Sequence, residues 1–373
     1  MKNNCKTKSI IFVLLITIAL FLCACERNQP TETPGAASEQ TGQTEQPGQP
    51  EQTGQPGQTG QPGQTGQPVQ TGQPGQPGQP GQPGQPGQTE QPGQPDKGVT
   101  EPKQSLSFLF FSDTQADPET GDYSGFGEVL TLALSRYANP DLIIFGGDTI
   151  NDGGNADEWR EFWEASAPLS GLTTAAAPGN HDAHLLAEQF DYPAKAPANQ
   201  GEGYFYSLNR GPVHFIMLDS NIMGAANDKE IQWLRMDLES DAAGQASWRV
   251  AVMHHPMWPV TENPKDAARA ATMREHFLPL MEEYGVDLIL CGHQHVYARS
   301  VPMSGDKVVS GGAIVQIMAA SGGKGSYVAG SWEYISAIAA APNYLHITAD
   351  DETLTVAACD GSAEPFDTFA ITR

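Results

Sequence analysis

Positive charge is scarce in this chain. Of 373 residues, 20 are Lys or Arg against 44 Asp or Glu, a formal net charge of −24. A field of that sign repels nucleic-acid polymers and anionic membrane surfaces, so no nucleic-acid partner is expected. Long hydrophobic runs are also wanting. The apolar stretch from Ile10 to Leu22 is shorter than the ~20 residues a membrane-crossing helix needs. Cysteine is sparse, with three of five in the first 25 residues. The other two, Cys291 and Cys359, lie in apolar strand-like contexts and read as buried thiols, with a disulfide as the alternative in an exported protein.

Between residues 26 and 104 large aliphatic side chains are nearly absent, Val69 and Val99 being the exceptions in a run of Gly, Gln, Pro, Thr and Glu. Such a segment cannot bury enough apolar surface to offset the entropy of ordering. Its near repeats of Gly-Gln-Pro are interrupted by Thr-Gly-Gln, which breaks the strict period a collagen helix requires. It reads as a disordered tether with an r.m.s. span on the order of 50 Å. Ahead of it, Lys2, Lys6 and Lys8 precede the apolar stretch, which ends in Leu22-Cys23-Ala24-Cys25. That ending resembles the lipobox of bacterial lipoprotein signals, with Cys25 as the lipidated residue because Ala24 precedes the cleavage point. An ordinary signal peptide or a short anchor helix is the alternative, and each implies export. The expected organisation is a lipoprotein signal peptide over 1–25, a tether over 26–104 and a catalytic domain over 105–373. The resemblance implies anchoring to the membrane through Cys25 at the outer face of the cytoplasmic membrane, with the tether reaching toward or across the cell wall.

Residues 105–373 carry −22 of the net charge and are numerous enough for a sizeable core. Apolar runs at 106–111, 142–145, 173–177, 213–218, 249–253 and 286–290 read as strands buried on both faces. Helical spacing lies between them at 128–137, 157–164, 228–239 and 272–284. Strands at 313–319, 344–349, 353–358 and 368–372 close the chain. Alternation of this kind predicts an α/β fold. Polar motifs follow the early strands: Asp113-Thr114-Gln115, Gly147-Asp148, Gly179-Asn180-His181-Asp182, His254-His255 and Gly292-His293-Gln294-His295. Carboxylates, amides and imidazoles at the C-terminal ends of α/β strands are the inventory of a site for two divalent metals.

These motifs resemble the calcineurin-like metallophosphoesterases, and within them the purple acid phosphatase-like branch. Residues 212–220, 292–299 and 360–369 resemble that branch as well. The resemblance implies a four-layer αββα sandwich of two mixed sheets flanked by helices, and a dinuclear centre holding Mn, Fe or Zn, with Ca as a further candidate. It implies that Asp148 bridges the ions, that Asp113 and His295 bind the first, and that Asn180, His254 and His293 bind the second. A hydroxide shared by the two ions would attack a small phosphoester in line. His181 would protonate the leaving oxygen or hydrogen-bond the phosphoryl group, and Asp182 would hold its imidazole. The catalytic domain is expected to be monomeric.

Two positions depart from the family pattern. Gln115 stands where many members have His, and Asn151 where purple acid phosphatases have a metal-binding Tyr. Their amide oxygens are candidate ligands of the first metal, weaker and neutral, which disfavours Fe(III). His255 is an alternative ligand to His254, although the register of Met-His-x-Pro favours His254 and leaves His255 near substrate. Arg299 is either a contact to substrate phosphate or half of an ion pair. His184 is either at the mouth of the site or solvated. Residues 183–203 and 256–271 are expected to form loops that select the leaving group. Phosphomonoesters suit the branch resembled, with phosphodiesters as the alternative substrates and a tethered binding protein as the alternative class.

Overall fold

In a computed structural model of the protein the described residues are 104–182, 185–194, 205–222 and 225–373. The expected signal segment with Cys25, the expected tether to residue 103, His184 and about half of the loop expected over 183–203 lie outside them. In chain order the elements are β1 (Leu106–Phe111), α1 (Ser124–Arg136), β2 (Leu142–Phe145), α2 (Ala156–Ala165) and β3 (Thr174–Ala176). Two short helices, α3 (Leu186–Gln189) and α4 (Asp191–Ala194), precede β4 (Tyr206–Arg210) and β5 (Val213–Met217). Next come α5 (Ala225–Leu238), α6 (Asp241–Gln245), β6 (Trp248–Val252), α7 (Pro264–His276), α8 (Leu278–Glu283) and β7 (Leu288–Cys291). The remainder is β8 (Val296–Ser300), β9 (Met303–Ser304), β10 (Lys307–Val308), β11 (Val315–Met318), β12 (Ile335–Ala340), β13 (Tyr344–Ala349), β14 (Thr353–Cys359) and β15 (Asp367–Thr372).

Two mixed sheets result, in the orders β15-β14-β13-β1-β2-β3 and β12-β8-β11-β7-β6-β5-β4. Within the first, β1, β2 and β3 run parallel; within the second, β5, β6, β7 and β11 do. Strand alternation then assigns the layers. Leu106, Phe108 and Phe110 of β1 point between the sheets, where Phe108 meets Phe215 of β5 edge-on at 5.1 Å. Leu109 and Phe111 point outward onto α1 and α2, with Phe126, Leu130 and Phe162. On the other side Ile216, Ala251 and Ile289 meet Leu234, Met273 and Met281 of α5, α7 and α8. Both faces of the central strands are thus covered, giving the four-layer αββα sandwich, which is why those strands are continuously apolar.

Several expected elements differ in detail. The helical pattern expected at 272–284 is two helices, because Pro279 opens α8 without an N–H for the preceding turn. β4, β8 and β12 were not separated by periodicity. β12 alternates only half-buried and exposed residues, as an edge strand does, and β8 starts directly after the His-rich motif. Cys291 on β7 and Cys359 on β14 are both buried free thiols.

Of the two readings of Arg299, the structure shows the ion pair. Its Nε and Nη2 donate to Asp367 at 2.7 and 3.1 Å, and its guanidinium lies 5.0 Å over the Phe369 ring. The Tyr297 hydroxyl donates to the same carboxylate at 2.6 Å. β8 and β15 belong to different sheets, so this cluster staples the sandwich. Removing Asp367 strands a half-buried guanidinium. Asp367→Ala should lower the unfolding free energy by about 2 kcal/mol in a urea titration, and Arg299→Met by a comparable amount without raising KM for a phosphoester. A selective rise in KM would return Arg299 to the substrate.

Candidate metal centre

The candidate ligands sit where strands from both sheets end side by side. Asp113, Asp148 and Asn180 follow β1, β2 and β3; His254, His293 and His295 follow β6 and β7. The backbone there is bent out of its ordinary range. Among the described residues, the non-glycine residues with positive φ are Asp113 (50°), Asp148 (50°), His293 (75°), His295 (49°) and Asn139 (55°). Left-handed backbone costs a residue bearing a Cβ on the order of 1 kcal/mol. Four of these five positions are therefore candidate ligands kept in place by their surroundings. Two glycines make the approach feasible. A Cβ on Gly292 would lie 1.9 Å from Ser112 Oγ and 2.2 Å from Asp113 Oδ2, and one on Gly179 would lie 2.0 Å from Asp148 N. The freed space lets the His293 N–H donate to the Asp113 carboxylate at 2.9–3.0 Å.

Asp148, His254 and His293 bring ligand atoms within 4.8 Å of one another. His254 donates from Nδ1 to the Gly146 carbonyl at 3.0 Å, and His293 donates from Nε2 to Asp266 at 3.1 Å. Their other nitrogens, His254 Nε2 and His293 Nδ1, face each other at 3.3 Å, with Asp148 Oδ2 3.2 Å from the former. Two imidazole lone pairs and a carboxylate in van der Waals range repel unless a cation stands among them. This donor set fits a borderline divalent metal, and the outer hydrogen bonds fix both tautomers for it. Without a metal a proton takes the role. Burial alone would push His254 down, but Asp148 and Asp113 outweigh it and hold the imidazole up to about 9. Burial likewise opposes the charge of Asp148, and His254 and His181 hold its carboxyl well below the usual carboxylate range.

The first site is thinner. His295 Nε2 stands 3.3 Å from Asp113 Oδ1, its Nδ1 is buried without a partner, and its ring stacks on Tyr327 at 4.5 Å. The Gln115 amide, expected as a ligand of this site, is held by two other groups. Its amide oxygen accepts from Lys324 Nζ at 3.2 Å and its amide nitrogen donates to the Ile150 carbonyl at 3.4 Å. Asn151, the other candidate amide ligand, shows a different contact. It is exposed and contributes its backbone carbonyl, to which His181 Nδ1 donates at 2.7 Å. That bond leaves His181 Nε2 as the free nitrogen. The expected partner of His181, Asp182, is buried and engaged elsewhere, accepting from the backbone N–H groups of Thr149 (2.7 Å) and Gly179 (2.8 Å). Asp182 therefore clamps the turn that carries Asn180 and His181, and does not orient the imidazole.

His255 is 4 % exposed, and its ring centroid lies 4.3 Å from that of His293. Its Nδ1 meets Ser220 Oγ at 2.9 Å, and burial together with His254, His293 and Arg269 pushes its pKa far below the ordinary value. It is a neutral imidazole in the wall of a cleft of about 780 Å³, with Asn180, Lys265, Arg269, His293 and Tyr327. Sequence reasoning missed Asp266, Lys324 and Tyr327. Asp266 had a signal in the Asn263-Pro264 helix start that places it in the first turn of α7. Burial would raise its carboxyl, but hydrogen bonds from His293 and Gln294 hold it below the ordinary range.

Residues 106–297 match the family described as Calcineurin-like phosphoesterase. Purple acid phosphatase 15 of Arabidopsis thaliana is 30% identical over 155 residues, 39% of this chain and 28% of that protein. A phosphoenolpyruvate phosphatase of Allium cepa is 27% identical over 223 residues, 53% of this chain and 46% of that one. The chain thus spans less than half the length of either plant relative. A purple acid phosphatase structure from yellow lupin (Lupinus luteus) seeds shares the fold, with a TM-score of 0.62 at 16% identity over 73% of this chain and 54% of that one.

A metal entering between His254 and His293 must displace the proton that Asp148 holds there. The folded-state pKa lies above the ordinary value of 6.5, so the proton competes at every pH below about 9. Affinity for Zn²⁺ or Mn²⁺ should fall roughly tenfold for each pH unit below that point. Calorimetry at pH 7 in buffers of different ionisation heat should show about one proton released per ion bound. A binding heat independent of the buffer would contradict this account.

Proposed function

The chain belongs to the calcineurin-like phosphoesterase family, and from that premise we propose that it is an exported, metal-dependent phosphomonoesterase acting on small substrates. The observation that carries the reading is the meeting of Asp148, His254 and His293 beside an imidazole, His181, with one nitrogen free. Asp113 and His295 form the second pair of donors. Divalent cations held by these residues would supply an activated water and neutralise charge on the phosphoryl oxygens.

The chain's own groups do the rest. His181 is fixed by the Asn151 carbonyl through Nδ1 and by its backbone N–H to Asp148 Oδ1 at 2.9 Å. Its Nε2 can therefore carry a proton to the leaving oxygen. His255, held neutral, can hydrogen-bond substrate without adding charge beside the ligands. Lys265 and Arg269 bring positive charge to the cleft wall, which favours a dianionic monoester over a monoanionic diester. The names of the plant relatives, phosphatases both, lean the same way. Export, a lipid anchor at Cys25 and a tether over 26–104 rest on the sequence of the first 104 residues.

Metal-free protein resupplied in turn with Mn²⁺, Zn²⁺, Fe²⁺ or Ca²⁺ should hydrolyse p-nitrophenyl phosphate faster than its bis ester. A reversed ratio would make it a diesterase, and inactivity with every metal would favour a tethered binding protein. His181→Ala should lower turnover by about 10²–10⁴-fold with metal content unchanged. Parallel loss of both would move His181 from proton donor to structural support.

A further inference from the structure

The position at which the resemblance expects an imidazole ligand holds, in Gln115, a seat for an ammonium group. Gln115 is fully buried two residues beyond Asp113, and its amide is oriented at both ends. Ile150 takes the nitrogen, and the oxygen receives Lys324 Nζ at 3.2 Å. Lys324 is delivered by the segment after β11, which is tied to the end of β1. Ser321 N donates to the Ser112 carbonyl at 2.7 Å and Gly322 N to the Asp113 carbonyl at 2.9 Å. The Ser321 hydroxyl donates to the Asn343 carbonyl at 2.7 Å, anchoring the segment from its other side. Three residues on, Tyr327 stacks on His295. One loop thus covers the first-site flank with a cation and an aromatic ring.

Among the described residues no carboxylate pairs with this cation, although the protein carries 44 acidic residues against 20 basic ones. A half-buried ammonium whose hydrogen-bond partner is a neutral amide keeps most of its charge for a further anion. We propose that Lys324 binds a phosphoryl oxygen of the substrate on the first-site flank, and that Gln115 is the residue that positions it. The exchange of imidazole for amide then has a physical meaning. A ligand that would help hold a metal is replaced by a group that holds a lysine, and part of the charge facing the phosphoryl group becomes the chain's own. This rests on the phosphoesterase reading above.

The test is binding of inorganic phosphate to the metal-loaded full chain, followed by calorimetry, with metal content measured on the same samples. Lys324→Met should weaken phosphate binding tenfold or more with metal content and melting temperature unchanged, and Lys324→Arg should recover part of the loss. Gln115→Met keeps the ammonium but removes its seat, so phosphate binding should weaken severalfold at unchanged metal content. The wild-type affinity should fall with added salt more steeply than that of Lys324→Met. Equal phosphate affinity in wild type and Lys324→Met would overturn the proposal, as would loss of metal in Gln115→Met, which would make Gln115 a ligand. If the wild type hydrolyses p-nitrophenyl phosphate while Lys324→Met binds phosphate as well as it does, this assignment alone falls. If the wild type neither hydrolyses it nor binds phosphate, the phosphoesterase reading falls with it.

Discussion

One buried carboxylate, Asp148, is the constraint on which the site depends. It closes β2 in the first sheet, yet Oδ2 faces His254 at the end of β6 in the second, while Oδ1 accepts from the His181 backbone beyond β3. Burying a charge this deeply is unfavourable unless partners surround it. The surroundings of Asp148 supply them from two directions. The glycine at 179 allows the β3 turn to close on it, and its own backbone is held left-handed to aim it. His254 has its proton fixed on the far nitrogen by Gly146, so the near one is left for a cation. The sandwich brings strand ends together; Asp148 makes their meeting chemically specific.

Much of this was legible from residue types and their places after strands. The apolar runs that became β1, β2, β6 and β7 announce buried strands, and polar residues directly after such runs must emerge at one sheet edge. That reasoning needs periodicity alone, and it puts Asp113, Asp148, His254, His293 and His295 at one end of the strands, where Asp148, His254 and His293 approach one another and Asp113 meets His295. It fails where the partner is distant in sequence or belongs to the backbone. Asp182 looked like the natural neighbour of His181, but a buried carboxylate beside an exposed turn satisfies the nearest N–H groups, and those are Thr149 and Gly179. Arg299 looked available, yet a part-buried guanidinium pairs with whatever carboxylate the other sheet presents, and that is Asp367.

The Gln115–Lys324 contact spans 209 positions of chain, and no local pattern reveals it. What the sequence displays is a lysine in a run of glycines, Ser321-Gly322-Gly323-Lys324-Gly325, which by itself reads as a flexible turn. Its meaning comes from two backbone hydrogen bonds to the end of β1. The same holds for Asp266, whose helix start is legible but whose target, His293, is not. Long-range side-chain pairs are decided by packing, and packing is what a single sequence hides.

Asp148 and Asp182 show how two buried acids close together come to divide their tasks. Burial, and then the charge on Asp148, push the Asp182 carboxyl up to about 6, while Asp148 itself stays ionised against His254. Each carboxylate raises the cost of ionising the other, so an arrangement that favours one disfavours its neighbour. With its folded-state pKa above the ordinary 3.8, Asp182 subtracts stability as pH rises from about 4 to 6, and that deficit persists at neutral pH. A cation held beside Asp148 would screen the repulsion and relieve the part of the deficit that the Asp148 charge causes, leaving the part due to burial. A metal bound there would thus be coupled to the fold through a residue that need never touch it. In a domain this acidic, cations held at the strand ends would belong to the charge balance of the fold as much as to its chemistry.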